Sequence, residues 1–145
     1  MFGKNTVSAL RQEDIKSRIE SLKKQQVVNQ LRATERKVKA HETAHKLAGG
    51  DLTGQVLYKY TKGPDGKLYV TGGEVSIKVK EGKNPEETIE IARRIKKAAL
   101  APSNPSIQDR VVASKASILE MKARIELSRY QNEFHQKGKY IDLFV

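Results

Sequence analysis

The chain has no cysteine among its 145 residues. This absence excludes disulfide bonds and zinc sites built on thiolates, so a bound metal must rest on histidine and carboxylate ligands. No apolar run reaches the length of about 18 residues that a membrane span requires, and the first residues lack the apolar core of a secretory signal. We therefore expect a cytoplasmic protein with no transmembrane segment.

Acidic residues are fewer than basic ones, with 17 Asp and Glu against 28 Lys and Arg and a net charge of +11. Residues 1–40 hold ten basic and four acidic side chains, so the positive charge is weighted toward the N-terminus. Such a field attracts nucleic acid, an anionic membrane or an acidic protein. Aromatic and glycine residues are not interleaved with these charges as on base-stacking surfaces. A solvated lysine-rich surface is the alternative to an anionic partner for this segment.

Proline and glycine are both absent between Lys4 and Ala48. Apolar residues recur there at three-, four- or seven-residue steps, a pattern that predicts one long helix or two helices broken near residues 25–30. Gly49-Gly50 should end the helix, because the chain often needs a left-handed conformation after the last turn.

The pattern changes to β after Gly54, where alternating apolar residues flank the turn Gly63-Pro64-Asp65-Gly66, as in a hairpin. Gly72-Gly73 should interrupt the second strand, and such glycines mark a bulge or a close approach to the backbone.

Two helices follow the predicted hairpin. Asn84-Pro85 is a helix start, and that helix should run to about Leu100. The last helix should begin near Ser106. It carries an apolar stripe more than six turns long, which requires a long partner surface. The N-terminal helix is the element long enough to supply it, although a homodimer would serve equally well.

The predicted fold class is α+β and mainly helical, with a long N-terminal helix, a central β-hairpin and two C-terminal helices packing back on the first. We divide the chain into a basic helical arm (1–30), a zincin-like domain (31–135) and a C-terminal tail (136–145). The length suits one domain.

His41-Glu42-Thr43-Ala44-His45 is the motif that points to chemistry. H-E-x-x-H on a helix places two imidazoles on one face with a carboxylate beside them, which is the minimal arrangement of a zinc hydrolase. His41 and His45 would bind Zn²⁺, and Glu42 would act as general base toward a zinc-activated water. Both imidazoles share a stripe with apolar residues, so they should face the interior.

The third zinc ligand must come from elsewhere in the chain. We favour Glu74, because the two glycines before it would let its strand press against the helix and because carboxylate completes a two-histidine site in one class of zinc peptidases. Against it, Glu74 shares a strand face with polar residues. Asp51 lies ten residues after His41, at the third-ligand spacing of another protease class, but it is equally an ordinary loop acid. His135 is the remaining histidine and should be exposed.

Two further groups have secondary roles in this hypothesis. One of Tyr58, Tyr60 and Tyr69 could donate a hydrogen bond to the oxyanion of the reaction, although these residues should mainly pack in the core and across strands. Asp109 could orient a zinc-bound imidazole from outside the ligand set, by a hydrogen bond that fixes its tautomer. Alternatively, it is simply an acid in the first turn of the last helix.

Several ordered motifs together resemble the SprA-related family of bacterial zinc metalloproteases, over about residues 32–127. The motifs are Val38-Lys39-Ala40-His41-Glu42-Thr43-Ala44-His45, Ala48-Gly49-Gly50, Tyr58-Lys59-Tyr60, Gly63-Pro64-Asp65-Gly66, Gly72-Gly73-Glu74-Val75-Ser76, Ala98-Ala99-Leu100-Ala101-Pro102 and Pro105-Ser106-Ile107-Gln108-Asp109-Arg110. The resemblance implies a zinc peptidase whose activity is inferred largely from the motif. Members are often longer at the N-terminus.

The sequence thus predicts a zinc-dependent metallopeptidase acting on protein or peptide substrates. One alternative is a non-catalytic helical module stabilised by the same metal, in which Glu42 is idle. Another is a basic protein that binds nucleic acid or a membrane surface, with the histidines serving as core residues.

Overall fold

A single continuous helix, α1, occupies Phe2–Gly49. The computed structural model describes the backbone of residues 2–142 and the side chains of residues 6–137. The helix has no break near residues 25–30, because neither proline nor glycine interrupts its backbone hydrogen bonds there. Its end is as predicted: Gly50 has a left-handed φ of 51° and opens a 3₁₀ turn over Gly50–Leu52.

The predicted hairpin is confirmed as an antiparallel pair, β1 (Thr53–Lys62) and β2 (Leu68–Ile77). In the turn, the Gly66 N–H donates to the Gly63 carbonyl at 3.0 Å, and Gly66 has a φ of 79° that favours glycine. The prediction that Gly72-Gly73 interrupts the second strand is wrong. Both glycines lie within β2 and neither has a positive φ, so they continue the strand as extended residues.

Helix α2 (Pro85–Ala99) is amphipathic, and its N-terminus is capped by Asn84, whose side chain accepts the Glu87 N–H at 2.8 Å. Its buried face packs against α3 (Ile107–Asp142). The core that they share contains Leu52, Ile91, Ile95 and Ala116, with Ile77, Val112 and Leu119 packed around it.

The apolar stripe of α3 packs against a different helix from the one predicted. The sequence pattern favoured the N-terminal helix, but α2 covers the first part of the stripe. Ala116 and Ala123 are buried, but Tyr130 and Phe134 near the end of the stripe are 57% and 82% exposed. The stripe therefore continues beyond the surface that α2 supplies.

The chain divides into two compact units. The first contains residues 1–39 and 58–73, and there the Glu35 carboxylate accepts the backbone N–H of Val70 at 2.8 Å. The second contains residues 40–57 and 74–145, which include the H-E-x-x-H motif. In this unit α2 and α3 both contact the last turns of α1, through Ala98 and Asp109.

The last helix continues further toward the C-terminus than the sequence suggested. Residue 136, where the tail was predicted to begin, lies within α3, which continues to Asp142. Residues 143–145 of that tail lie outside the described part. Among residues 2–142, no helix is both long enough and apolar enough to cross a bilayer.

Candidate metal centre

The last two turns of α1 present His41, Glu42 and His45 in the second unit. Residues four apart lie on one face of a helix, so the two imidazoles are neighbours, and Glu42 lies beside them. His45 is 2% exposed and Glu42 is 4% exposed, whereas His41 is half-buried. The prediction that the imidazoles face inward is confirmed for His45, and His41 lies at the edge of the site.

Three potential metal donors converge at this point, from His41, His45 and Asp109. The two Nε2 atoms of the histidines are 3.2 Å apart. Asp109 Oδ2 is 3.1 Å from His41 Nε2, and its Oδ1 is 3.2 Å from His45 Nε2. Zinc bonds of about 2.0–2.1 Å place the ligand atoms of a tetrahedral site about 3.3 Å apart. The two imidazole nitrogens have this spacing, and each of them has it from one oxygen of Asp109. These three residues could therefore hold a zinc ion.

Asp109 is held in place by the start of α3. The Ser106 N–H donates to Asp109 Oδ2 at 2.8 Å, and the Asp109 N–H donates to Ser106 Oγ at 3.1 Å. This reciprocal pair is a capping box, which satisfies two backbone N–H groups of the first turn. The carboxylate is thus fixed by the local fold before any metal contributes.

The charge state of Asp109 also suits a ligand. Burial works to raise the pKa of this carboxyl, but the hydrogen bonds from Ser106 and the neighbouring His45 and His41 outweigh it and hold the pKa below its usual value. Asp109 is therefore ionised at neutral pH and ready to bind a cation.

The orientation of His45 is fixed from its other side. Its Nδ1 lies 2.8 Å from the carbonyl oxygen of Ala98. Because a carbonyl oxygen only accepts, Nδ1 must carry the proton, and in the neutral imidazole Nε2 then has its lone pair free for a metal. The orienting role that the sequence assigned to Asp109 is thus performed for His45 by the backbone of α2. Asp109 itself contacts the Nε2 atoms.

Glu42 is a buried acid beside the three donors. Its Oε2 is the buried side-chain oxygen that has no hydrogen-bond partner among the described residues. Burial raises the pKa of this carboxyl above its ordinary value; the imidazoles of His41 and His45 oppose the shift, and the negative charges of Asp109 and Glu74 add to it. An unpaired carboxylate is costly to keep in such a place. Because acids with shifted pKa values often occur at functional sites, Glu42 is a candidate functional residue.

The other predicted ligands lie outside the donor group. Glu74 is exposed on β2, close enough to Glu42 for its charge to raise the pKa of that carboxyl. Its role as third ligand stays a prediction. Asp51 is exposed and paired with Arg94, which gives its carboxylate a different partner. His135 is exposed on α3.

The three tyrosines belong to the first unit. Tyr69 is buried and donates its hydroxyl hydrogen bond to Asp65, while Tyr58 is half-buried. Tyr60 is 57% exposed, so it lies outside the core, and cross-strand packing of its ring stays a prediction. A role for any of them at an oxyanion stays a prediction.

A sequence model of the SprA-related family matches residues 4–139. The chain therefore belongs to the SprA-related family. The match extends beyond residues 32–127, where the resemblance was carried by individual motifs, and it includes most of the N-terminal helix. No curated protein and no solved structure gives a significant match.

Proposed function

We propose that the protein is a zinc-dependent metallopeptidase. The observation that supports this most strongly is the convergence of His41, His45 and Asp109 within hydrogen-bond distance of one another, beside the buried Glu42. Two imidazoles and one carboxylate form a typical ligand set of catalytic zinc sites, which keep a fourth position for water. The buried carboxyl of Glu42 beside these donors fits a catalytic zinc site better than a closed structural one.

In this proposal His41, His45 and Asp109 hold the zinc ion. Zinc, when bound, polarises a peptide carbonyl and lowers the pKa of water to about 7. The protein contributes the fixed positions of the donors: the Ala98 carbonyl sets the tautomer of His45, and Ser106 fixes Asp109. Such supporting partners commonly change metal affinity about 10–100-fold when they are removed.

Glu42 would move the proton. Its carboxylate accepts a proton from the attacking water and later delivers it to the leaving amine of the cleaved peptide bond. A general base works best when its pKa lies close to the working pH, and burial shifts the pKa of Glu42 in that direction. The unpaired Oε2 is available for this hydrogen bond because no described residue occupies it.

The test is peptide cleavage by the zinc-loaded chain, followed by mass spectrometry of a mixed library of unfolded peptides. Glu42→Gln is the matched control, because it keeps the shape of the side chain and leaves all three donors in place. We expect cleavage by the wild type and a rate at least about a hundredfold lower for the variant, since general bases contribute that much or more. The zinc content of the two proteins should be equal.

Equal cleavage by both proteins, or intact peptides with both, would contradict the proposal. If neither protein cleaves and chelation of the zinc unfolds both, the donors form the structural metal site of the alternative hypothesis.

A further inference from the structure

A groove lies next to the donor group within the second unit. It has a volume of about 600 Å³, within the range of about 300–1,000 Å³ of small-ligand pockets. Its apolar wall is formed by Ala48, Leu100 and Ala101. Arg93, Lys96, Lys97 and Glu120 form its polar wall.

The groove begins within one helical turn of the candidate metal centre. Ala48 follows His45 by three residues, so it lies on the same face of α1 and about 4.5 Å further along the helix axis. On the other side, Ala98 accepts the His45 hydrogen bond, and Leu100 is two residues further along the chain. The groove and the donors thus share both α1 and the end of α2.

The charge of the groove is positive and only partly compensated. Arg93 forms an ion pair with Glu120 at 2.7 Å, and Arg124 forms a second at 3.0 Å. Within the described residues, neither Lys96 nor Lys97 has a carboxylate partner closer than the 4.0 Å of an ion pair. Both lysines line the groove and are exposed, so two ammonium groups are available to an anion from solution.

We propose that this groove binds a carboxylate of a peptide, with Lys96 and Lys97 pairing with the carboxylate and the apolar wall contacting the adjoining residue. Two sources share this chemistry, the C-terminal carboxylate of a short peptide and the side chain of an internal Asp or Glu. As a substrate subsite the groove rests on the proposed peptidase function. As a carboxylate-binding site it does not, because neither lysine belongs to the donor group.

The experiment uses the full chain with Glu42→Gln, so that peptides remain intact, and follows the backbone amide NMR signals of residues 96–101. Three acetylated tetrapeptide probes are titrated: tetra-alanine with a free C-terminus, the same peptide amidated, and an amidated peptide with one internal Glu. We expect shifts with at least one carboxylate-bearing probe and none with the neutral amide. The probe that binds identifies the source of the carboxylate.

The decisive comparison adds Lys96→Gln together with Lys97→Gln. The matched control is Lys115→Gln together with Lys122→Gln, which removes the same charge from exposed positions on α3 outside the groove. Because the first variant loses two exposed ion pairs with the carboxylate, its affinity should fall at least about threefold. The affinity of the control should not change. Equal affinities in the two variants, binding of the neutral amide, or no shift with any probe would overturn the proposal. Because binding is measured without turnover, a protein that binds but never cleaves would refute the peptidase function alone.

Discussion

Replacing Glu42 by Gln should stabilise the metal-free protein, although it removes the proposed general base. The side chain is 4% exposed, and its Oε2 has no hydrogen-bond partner in the described residues. An unsatisfied buried polar group costs about 1–3 kcal/mol, and more if it is charged. Gln keeps the volume and both polar atoms but removes the charge, so we expect a gain of about 1–2 kcal/mol in the free energy of unfolding. For a chain of this size the gain corresponds to roughly 3–7 °C in Tm.

The gain should depend on pH in a direction that the structure fixes. Burial raises the pKa of Glu42 in the folded state above its ordinary value. A carboxyl whose pKa is higher in the folded state binds its proton more tightly there, so stability falls as pH rises from the unfolded pKa through the folded pKa. The advantage of Gln should therefore be largest near pH 8 and should shrink as the pH falls below the raised pKa.

The assay is urea unfolding of both proteins in the presence of a chelator, at several pH values. Glu74→Gln is the control, because its carboxylate is exposed and surface substitutions usually stay within about 0.5 kcal/mol. A Glu42→Gln protein that is no more stable than the wild type at pH 8 would refute the idea that this carboxylate is buried at a cost. So would a gain that does not change with pH.

Three further outcomes follow from the structure and can be measured by unfolding or metal titration. Ser106→Ala should cost about 1 kcal/mol of stability, because its Oγ no longer accepts the Asp109 N–H. It should weaken zinc binding by less than about tenfold, because the backbone N–H of residue 106 still donates to Asp109 Oδ2; an unchanged free energy of unfolding, or a larger loss of zinc affinity, would contradict these roles. Ile95→Ala should cost about 2–5 kcal/mol, because Ile95 is fully buried in the core between α2 and α3; a loss below 1 kcal/mol would contradict that burial. Glu35→Gln should destabilise the protein more near pH 7 than near pH 3, because the N–H of Val70 lowers the pKa of Glu35 and that stabilisation is lost as the pH falls through the lowered pKa; an equal destabilisation at the two pH values would contradict it.

Much of the fold could be predicted because its boundaries are set locally. The stretch without proline or glycine gives α1, the left-handed Gly50 ends it, and Asn84 and Pro85 start α2. These signals act within one or two turns of the chain. The partner of the α3 stripe could not be read in this way, since helix length alone favoured α1. The amphipathic face of α2, with Ile91 and Ile95, is the surface that covers its first part.

The part of the candidate site that lies on one helix could be predicted from the sequence. His41, Glu42 and His45 follow from helical spacing, whereas Asp109 lies 68 residues after His41, and only the packing of α3 beside α1 brings it there. A local signal did exist: Ser106-x-x-Asp109 matches a capping box, which fixes the carboxylate at the start of a helix. The two glycines before Glu74 favoured a third ligand on β2 instead, but they are regular residues of that strand. The orienting carbonyl of Ala98 has no sequence signature.

Zinc content is the most direct test of the proposed metal centre, measured by elemental analysis of protein that has been stripped of metal, exposed to zinc and desalted. The wild type and Glu74→Ala should each retain about one zinc ion per chain, whereas His45→Ala and Asp109→Ala should lose it, because the donor group is built from His41, His45 and Asp109. Circular dichroism of each variant would show whether a loss reflects unfolding. Retention of zinc by a folded Asp109→Ala protein together with its loss from Glu74→Ala would contradict this centre and identify Glu74 as the ligand. A wild type that binds no zinc would contradict the metal site itself.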